Sequence, residues 1–114
     1  SMKFLLPAVL AVAACGTTPD ERPATAEVVV FSILAPSCGQ VQCHSTTTNL
    51  EGYAFDTFDA AKDSLRQLVG PTAAQSELVD VLHSDSERMP PDSPLAEEDI
   101  VLIETWIDSG AQGL

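Results

Sequence analysis

The chain has 114 residues, enough for one small domain. Its 17 acidic residues against 5 basic ones give a formal net charge of −12. A surface this acidic argues against nucleic acid or anionic membrane surfaces as partners, and it favours a basic partner protein or simply solubility. Because only 5% of the residues are aromatic, the core is thin, and such domains often need a disulfide, a metal or a cofactor for stability.

Residues 1–14 have the pattern of a lipoprotein-type signal peptide. Lys3 supplies the charged end, and the apolar run from Phe4 to Ala14 is too short to span a bilayer. The run ends in Val12-Ala13-Ala14-Cys15, which resembles the lipobox of bacterial lipoproteins. This resemblance implies acylation of Cys15 and a membrane anchor. The alternative is an ordinary cleaved signal that leaves Cys15 unmodified. Either way, we expect the protein in the periplasm or at the cell surface.

Residues 15–26 are predicted to be a flexible tether, because they are polar and contain Pro19 and Pro23. The folded domain is expected over residues 27–114. It opens with Glu27–Ser37, an apolar stretch that ends next to the first cysteine of the domain. The run Val28-Val29-Val30 has β propensity, so the sequence pattern leaves a strand and a helix equally open.

The next segment, Cys38-Gly39-Gln40-Val41-Gln42-Cys43-His44, carries the chemistry. Two cysteines followed at once by a histidine are the arrangement that attaches a c-type haem. The thiols form thioether links to the porphyrin vinyl groups, and the adjacent imidazole ligates the iron. The usual spacing places two residues between the cysteines, whereas this chain has four.

Two helices are predicted after this segment. The first has Asp56 or Thr57 as its cap, Phe58–Val69 as its body and Gly70 as its stop. The second covers Ser76–His83. The residues expected to face the core are Phe58, Ala61, Leu65 and Leu68 in the first helix, and Leu78, Val79 and Leu82 in the second.

The last predicted helix begins at a Ser93 cap, with Pro94 in its first position, and ends at Gly110. Acidic residues follow the cap and suit the helix dipole. The buried stripe is expected to consist of Ile100, Ile103, Trp106 and Ile107.

Met89 is a candidate iron ligand. It is the only methionine beyond the signal peptide, and it lies just before Pro90 and Pro91, which stiffen the loop. A methionine thioether is the soft ligand that stabilises Fe(II) and raises the reduction potential. The alternative for a lone methionine is core filling, which a position between polar loops makes less natural.

The order of these segments resembles a known family over most of residues 28–111. The resembling segments are Phe31-Ser32-Ile33-Leu34, Cys38…Cys43-His44, Leu65…Leu68-Val69, Ser76…Leu78, Met89-Pro90-Pro91, Pro94-Leu95 and Trp106-Ile107-Asp108-Ser109-Gly110-Ala111. The family is that of the small class I-like c-type cytochrome domains of bacterial lipoproteins and multidomain secreted proteins.

This resemblance implies an all-α fold of about four helices wrapped around one covalently attached haem c. It favours a helix for Glu27–Ser37, and it implies that the first and last helices cross with Phe31 and Trp106 near their contact. Cys38 and Cys43 would hold the vinyl groups, with His44 as the proximal ligand and Met89 as the distal one. The implied function is a lipid-anchored electron carrier, not an enzyme, that passes single electrons between redox partner proteins.

Two other interpretations stay open. A zinc site could recruit Cys38, Cys43, His44 and His83, although adjacent residues seldom both reach one tetrahedral ion. Alternatively, Cys38 and Cys43 could form a disulfide in an oxidising compartment, which would make the chain a haem-free interaction or structural lipoprotein domain. His83 is also the fallback sixth ligand should Met89 not bind. The sequence offers no plausible Ser-His-Asp set and no second haem motif.

Overall fold

Four helices organise the domain in this computed structural model, which describes residues 21–114. The first, α1, joins the helical turn Ala26–Val28, the π-helical segment Val29–Leu34 and the turn Ala35–Cys38. The other helices are α2 (Phe58–Leu68), α3 (Glu77–His83) and α4 (Glu97–Asp108), with short 3-10 turns at Leu50–Gly52 and Ala73–Gln75. Within residues 21–114 there is no strand, and the predicted all-α fold of about four helices is confirmed.

Helix α1 forms because its apolar residues recur at helical spacing. Val29, Val30, Ile33 and Leu34 are each at most 1% exposed, and they make one continuous buried stripe. The Thr25 hydroxyl caps the helix by accepting a hydrogen bond from the backbone N–H three residues later, at 3.3 Å. The helix that the resemblance implied for this stretch is confirmed, and the strand alternative is wrong.

Helices α1 and α4 pack against each other, as predicted. Ile103 and Trp106 of α4 are fully buried, and Ile107 is 1% exposed. The Trp106 indole N–H donates to the Gln112 carbonyl at 2.9 Å, so the one polar atom of this large side chain is satisfied.

Phe31 does not lie at this contact, contrary to the prediction. It is 59% exposed, and its ring stacks on Phe58 of α2 with a centroid distance of 5.4 Å. The buried stripe of α1 runs through Val29, Val30 and Ile33, which leaves position 31 on the outer side of the helix.

Helices α2 and α3 follow their predicted bounds to within one residue. Thr57 is the cap of α2, because its side chain accepts a hydrogen bond from the Ala60 N–H at 3.2 Å. The helix ends at Leu68, one residue before the predicted end. The predicted inward residues are buried, except for the half-buried Phe58: Ala61, Leu65, Leu68, Leu78, Val79 and Leu82.

The predicted start of the last helix is wrong. Helix α4 begins at Glu97 after Ala96, whose backbone is extended and makes no side-chain cap. Ser93 and Pro94 therefore lie in the preceding loop, where Leu95 packs partly against the core. The first turn of α4 still carries three acidic residues, which suit the positive end of the helix dipole.

The described end of the predicted tether, residues 21–26, lies against the domain. Arg22 forms an ion pair with Asp99 at 2.8 Å. Ala26 is fully buried, and its N–H donates to the Gln112 carbonyl at 2.9 Å. The predicted signal peptide and Cys15 lie outside the described residues. From residue 21 onward, none of the helices is long and apolar enough to cross a membrane.

Candidate functional site

The four predicted site residues meet at two adjoining cavities. The larger, of about 210 Å³, is lined by Cys38, His44 and Met89. The smaller, of about 180 Å³, is lined by the same three residues and Cys43. The fold therefore brings together side chains that are up to 51 positions apart in sequence.

The wall of the larger cavity is mostly apolar. Its hydrophobic side chains come from the segment after the histidine, from α2 and from α3, and they are Tyr53, Phe55, Leu68, Leu78, Val81 and Leu82. Such a wall suits a flat apolar ligand much better than a hydrated ion.

His44 is oriented by a main-chain carbonyl. Its Nδ1 lies 2.9 Å from the Leu50 carbonyl oxygen. Because a carbonyl can only accept, Nδ1 carries the hydrogen and donates it, which leaves the lone pair of Nε2 available for a metal. The imidazole also packs edge-on against Phe55, at a centroid distance of 5.8 Å, and beside Tyr53 at 6.2 Å. The ring therefore has a defined tautomer and a defined orientation.

The backbone around His44 is held on both sides. The His44 N–H donates to the Cys38 carbonyl at 3.1 Å, and the His44 carbonyl accepts from the Phe55 N–H at 2.7 Å. The Leu50 N–H donates to the Cys43 carbonyl at 3.3 Å. These bonds tie both cysteines and the histidine to the segment that orients the imidazole.

The four residues between the cysteines form a structured loop. The Cys43 N–H donates to the Gln40 carbonyl at 2.9 Å. The Val41 carbonyl accepts hydrogen bonds from two hydroxyls, those of Ser45, at 3.2 Å, and Thr48. The wider spacing is thus accommodated by a loop that is tied to the polar residues after His44.

Both thiols are free and partly buried. Burial raises the pKa of the Cys38 thiol to about 11, and the nearby Cys43 adds to the increase. Cys38 is therefore a neutral thiol at physiological pH.

Two residues that support the site were not predicted. The Asp56 carboxylate accepts from the N–H and the hydroxyl of Thr46, each at 2.9 Å. The bond from the Thr46 N–H is the main reason why the pKa of Asp56 is lowered.

The second unpredicted residue is Gly39. A Cβ on Gly39 would lie 2.9 Å from the Ala35 oxygen and from the Phe55 carbonyl carbon, so only glycine fits there without a backbone shift. Both contacts join distant segments, which a sequence pattern does not reveal.

Met89 stands at the edge of both cavities. Its N–H donates to the Val81 carbonyl at 2.9 Å, which ties the loop to the end of α3. The side chain is 37% exposed, so it does not fill the core. The position agrees with the predicted ligand role, and that role stays a prediction, as do those of Cys38, Cys43 and His44.

The structure does not support the zinc alternative, because no three His, Cys, Asp or Glu side chains within residues 21–114 converge to hold a metal ion. His83 lines neither cavity. Its Nε2 lies 2.9 Å from a carboxylate oxygen of Glu104 instead. This position does not favour His83 as the fallback iron ligand.

The donor set fits a haem. An imidazole with a free Nε2, a thioether and two thiols surround apolar, partly aromatic space, and these are the groups that hold haem iron and the porphyrin in c-type cytochromes. The helical fold and the side chains around the cavities resemble those of a small cytochrome c-like domain.

A comparison with protein families supports the assignment. A family model described as Planctomycete cytochrome C matches residues 41–93. The matched range includes Cys43, His44 and Met89 and begins after Cys38. No curated protein and no solved structure matches the chain. The match supports a c-type cytochrome in general, and the family implies haem c binding.

Proposed function

We propose that this protein is a monohaem c-type cytochrome that carries single electrons between periplasmic or cell-surface redox partners. The observation that carries the proposal is the convergence of Cys38, Cys43, His44 and Met89 on the two adjoining cavities. When bound, haem supplies reversible one-electron exchange. The chain acts as an electron carrier and not as an enzyme.

Each residue has a proposed part. Cys38 and Cys43 provide the sulfur atoms of two thioether links. His44 provides Nε2 to the iron, because its Nδ1 is engaged by the Leu50 carbonyl. Met89 provides the second axial ligand. The Val81 carbonyl positions its backbone.

The anchoring and the partners are also proposed. An acylated Cys15 would hold the domain at a membrane, with the polar residues up to 20 as a spacer. The net charge of −12 would steer basic partner proteins to the domain, and this effect should weaken as salt is added.

The first test is a visible absorption spectrum of the protein exported from a host with haem-attachment machinery, followed by denaturing haem staining. Sharp reduced-state bands, with haem that survives denaturation, are expected. A Cys38→Ala/Cys43→Ala variant should lose the stain. A colourless protein whose two thiols are oxidised to a disulfide would overturn the proposal in favour of a haem-free module.

A Met89→Ala variant tests the axial ligand. We expect covalent haem to remain, the reduction potential to fall and the iron to bind external ligands such as imidazole, because a soft ligand for Fe(II) has been removed. Val101→Ala is the matched control, since Val101 is also exposed, at 47%, and lines neither cavity. An unchanged potential in Met89→Ala would remove Met89 from the ligand set.

A further inference from the structure

The loop between the two cysteines is held by two hydroxyls that follow the histidine. The Ser45 hydroxyl donates to the Val41 carbonyl at 3.2 Å, and the Thr48 hydroxyl donates to the same oxygen. Val41 lies in the middle of the loop, and it is 70% exposed. The loop is therefore fixed through its backbone and not through the packing of its central side chain.

Ser45 is buried although its side chain is polar. It is 3% exposed, and its hydroxyl oxygen also accepts the Thr48 N–H at 3.1 Å. Its carbonyl accepts the Asn49 N–H at 2.7 Å. A buried hydroxyl needs hydrogen-bond partners, and those of Ser45 join the loop before His44 to the turn after it.

The ends of the same loop are tied by other bonds. The His44 N–H donates to the Cys38 carbonyl at 3.1 Å, and the Cys43 N–H donates to the Gln40 carbonyl at 2.9 Å. A loop that is two residues longer than usual has more conformations to lose when both of its cysteines are fixed. The two hydroxyls restrain the part of the loop that contains this extra length.

We propose that Ser45 and Thr48 are positioning residues for the covalent attachment of haem. By holding the Val41 carbonyl, they restrict the loop so that the thiols at both of its ends link to one haem. A loop released from the two hydroxyls samples arrangements in which only one thiol reacts, so singly linked haem accumulates. The inference rests on the proposed function, and it adds the residues that make the four-residue spacing workable.

The linking step is the same at Cys38 and at Cys43. Each thiol adds across one vinyl double bond of the haem. Its S–H bond breaks, the sulfur bonds to one vinyl carbon, and the hydrogen goes to the other. The addition consumes no oxidant and no reductant, and it needs reduced thiols, which both cysteines have.

Three variants separate this role from a general effect on the fold. Thr48→Val removes one donor and keeps the branched shape of an exposed side chain. Thr47→Val is the matched control, because Thr47 is also an exposed threonine, whereas the two donors to the Val41 carbonyl are its neighbours. Ser45→Ala removes the second donor. Because Ser45 is buried, its fold is checked by circular dichroism, and Thr48→Val alone decides if this variant does not fold.

The measurement counts thiols that haem has not taken. The full chain is exported from a host with haem-attachment machinery, denatured and treated with iodoacetamide, which alkylates every free thiol. A glutamate-specific protease then cuts after Glu27 and Glu51. The peptide between these cuts contains Cys38 and Cys43 but not Cys15. In mass spectra, a haem-bearing peptide carries no alkyl group when it is doubly linked and one when it is singly linked.

We expect two links on nearly every haem-bearing peptide of the wild type and of Thr47→Val. In Thr48→Val, the singly linked fraction should rise about threefold to tenfold, the change that the loss of one hydrogen bond gives. Ser45→Ala should raise it at least as much. A variant that only folds less well would lower the number of haem-bearing peptides without changing this fraction.

Equal singly linked fractions in Thr48→Val and Thr47→Val would overturn the role of the two hydroxyls. A wild type whose haem-bearing peptide keeps a free thiol would do the same. A wild-type chain that carries no haem overturns the proposed function instead, and this result is seen before any variant is compared.

Discussion

The helical core, formed by α1 and α4, and the cavity loops, residues 39–55 and 84–96, are stabilised in different ways. In the core, apolar side chains such as Ile33 and Trp106 fill their own interface and are at most 1% exposed. In the loops, hydrogen bonds such as that from His44 to the Leu50 carbonyl border apolar space that the chain does not fill. The contact between α1 and α4 is filled by its own side chains, whereas the loops border apolar space that stays open.

The strongest test of this difference is Trp106→Ala in the core. Truncating a fully buried tryptophan should lower the free energy of unfolding by about 3–5 kcal/mol, because it leaves a cavity. Chemical denaturation followed by circular dichroism measures the loss. Val101→Ala, on the exposed side of the same helix, should cost about 0.5 kcal/mol or less. Similar losses in the two variants would contradict a self-sufficient core centred on Trp106.

Gly39→Ala tests the packing of the loops. The added methyl group would meet three backbone atoms, at 2.9–3.0 Å, so we expect a loss of about 1–3 kcal/mol from overpacking. Denaturant unfolding of the haem-free and the haem-loaded protein measures it, with Gln40→Ala as the exposed neighbouring control. A neutral Gly39→Ala would mean that the Cys38–Cys43 loop is not held against Phe55.

Ser64→Ala tests the attachment of the first cavity loop to helix α2. The buried Ser64 hydroxyl accepts from the Ala54 N–H at 2.9 Å and donates to the Ala54 carbonyl at 3.1 Å. Its removal leaves both backbone groups unpaired, which should cost about 1–3 kcal/mol. Ser32→Ala is the control, because Ser32 is an exposed serine of α1. Thermal unfolding compares the two variants, and equal midpoints would refute the predicted penalty.

Asp56→Asn should have the smallest effect, and it should depend on pH. The Thr46 N–H lowers the pKa of Asp56 below its ordinary value of 3.8. The folded state therefore gains stability from the ionised carboxylate above that value and loses it as the pH falls through the lower folded pKa. The variant should show a weaker loss of stability in acid than the wild type.

Unfolding measured at about pH 7 and about pH 3 tests this slope. Asp59→Asn, which removes an exposed carboxylate of α2, is the charge-matched control. An acid profile of Asp56→Asn that matches the wild type would show that the Thr46 contact contributes nothing in solution.

Local sequence patterns predicted the start of a helix well where the side chain of a single capping residue determines it. Thr57, one of the two predicted caps, starts α2, because a threonine side chain can cap the helix by itself. Ser93 does not start α4, because it lies in a loop that is held by two other contacts. Pro90 and Pro91 of this loop line the smaller cavity, and its Leu95 packs partly against the core. Tertiary contacts determine where α4 begins, and the sequence of a cap motif contains no information about those contacts.

The sequence pointed to the candidate haem-binding residues but not to the groups that support them. Cys38, Cys43, His44 and Met89 carry side chains with recognisable chemistry, so their spacing in the sequence was informative. The Leu50 carbonyl that orients His44 is a backbone atom, and Asp56 acts on a residue ten positions earlier. Such supports have no residue signature, and only the folded chain reveals them.

The bond from His44 to Leu50 has a consequence for how freely the sequence can change. Because the acceptor is a peptide oxygen, replacing the leucine side chain would leave it in place. Almost any residue encoded at position 50 can therefore present the imidazole in the same tautomer. Proline is the exception, since it lacks the N–H that bonds Cys43. The orientation of the imidazole is thus protected from most single mutations at position 50.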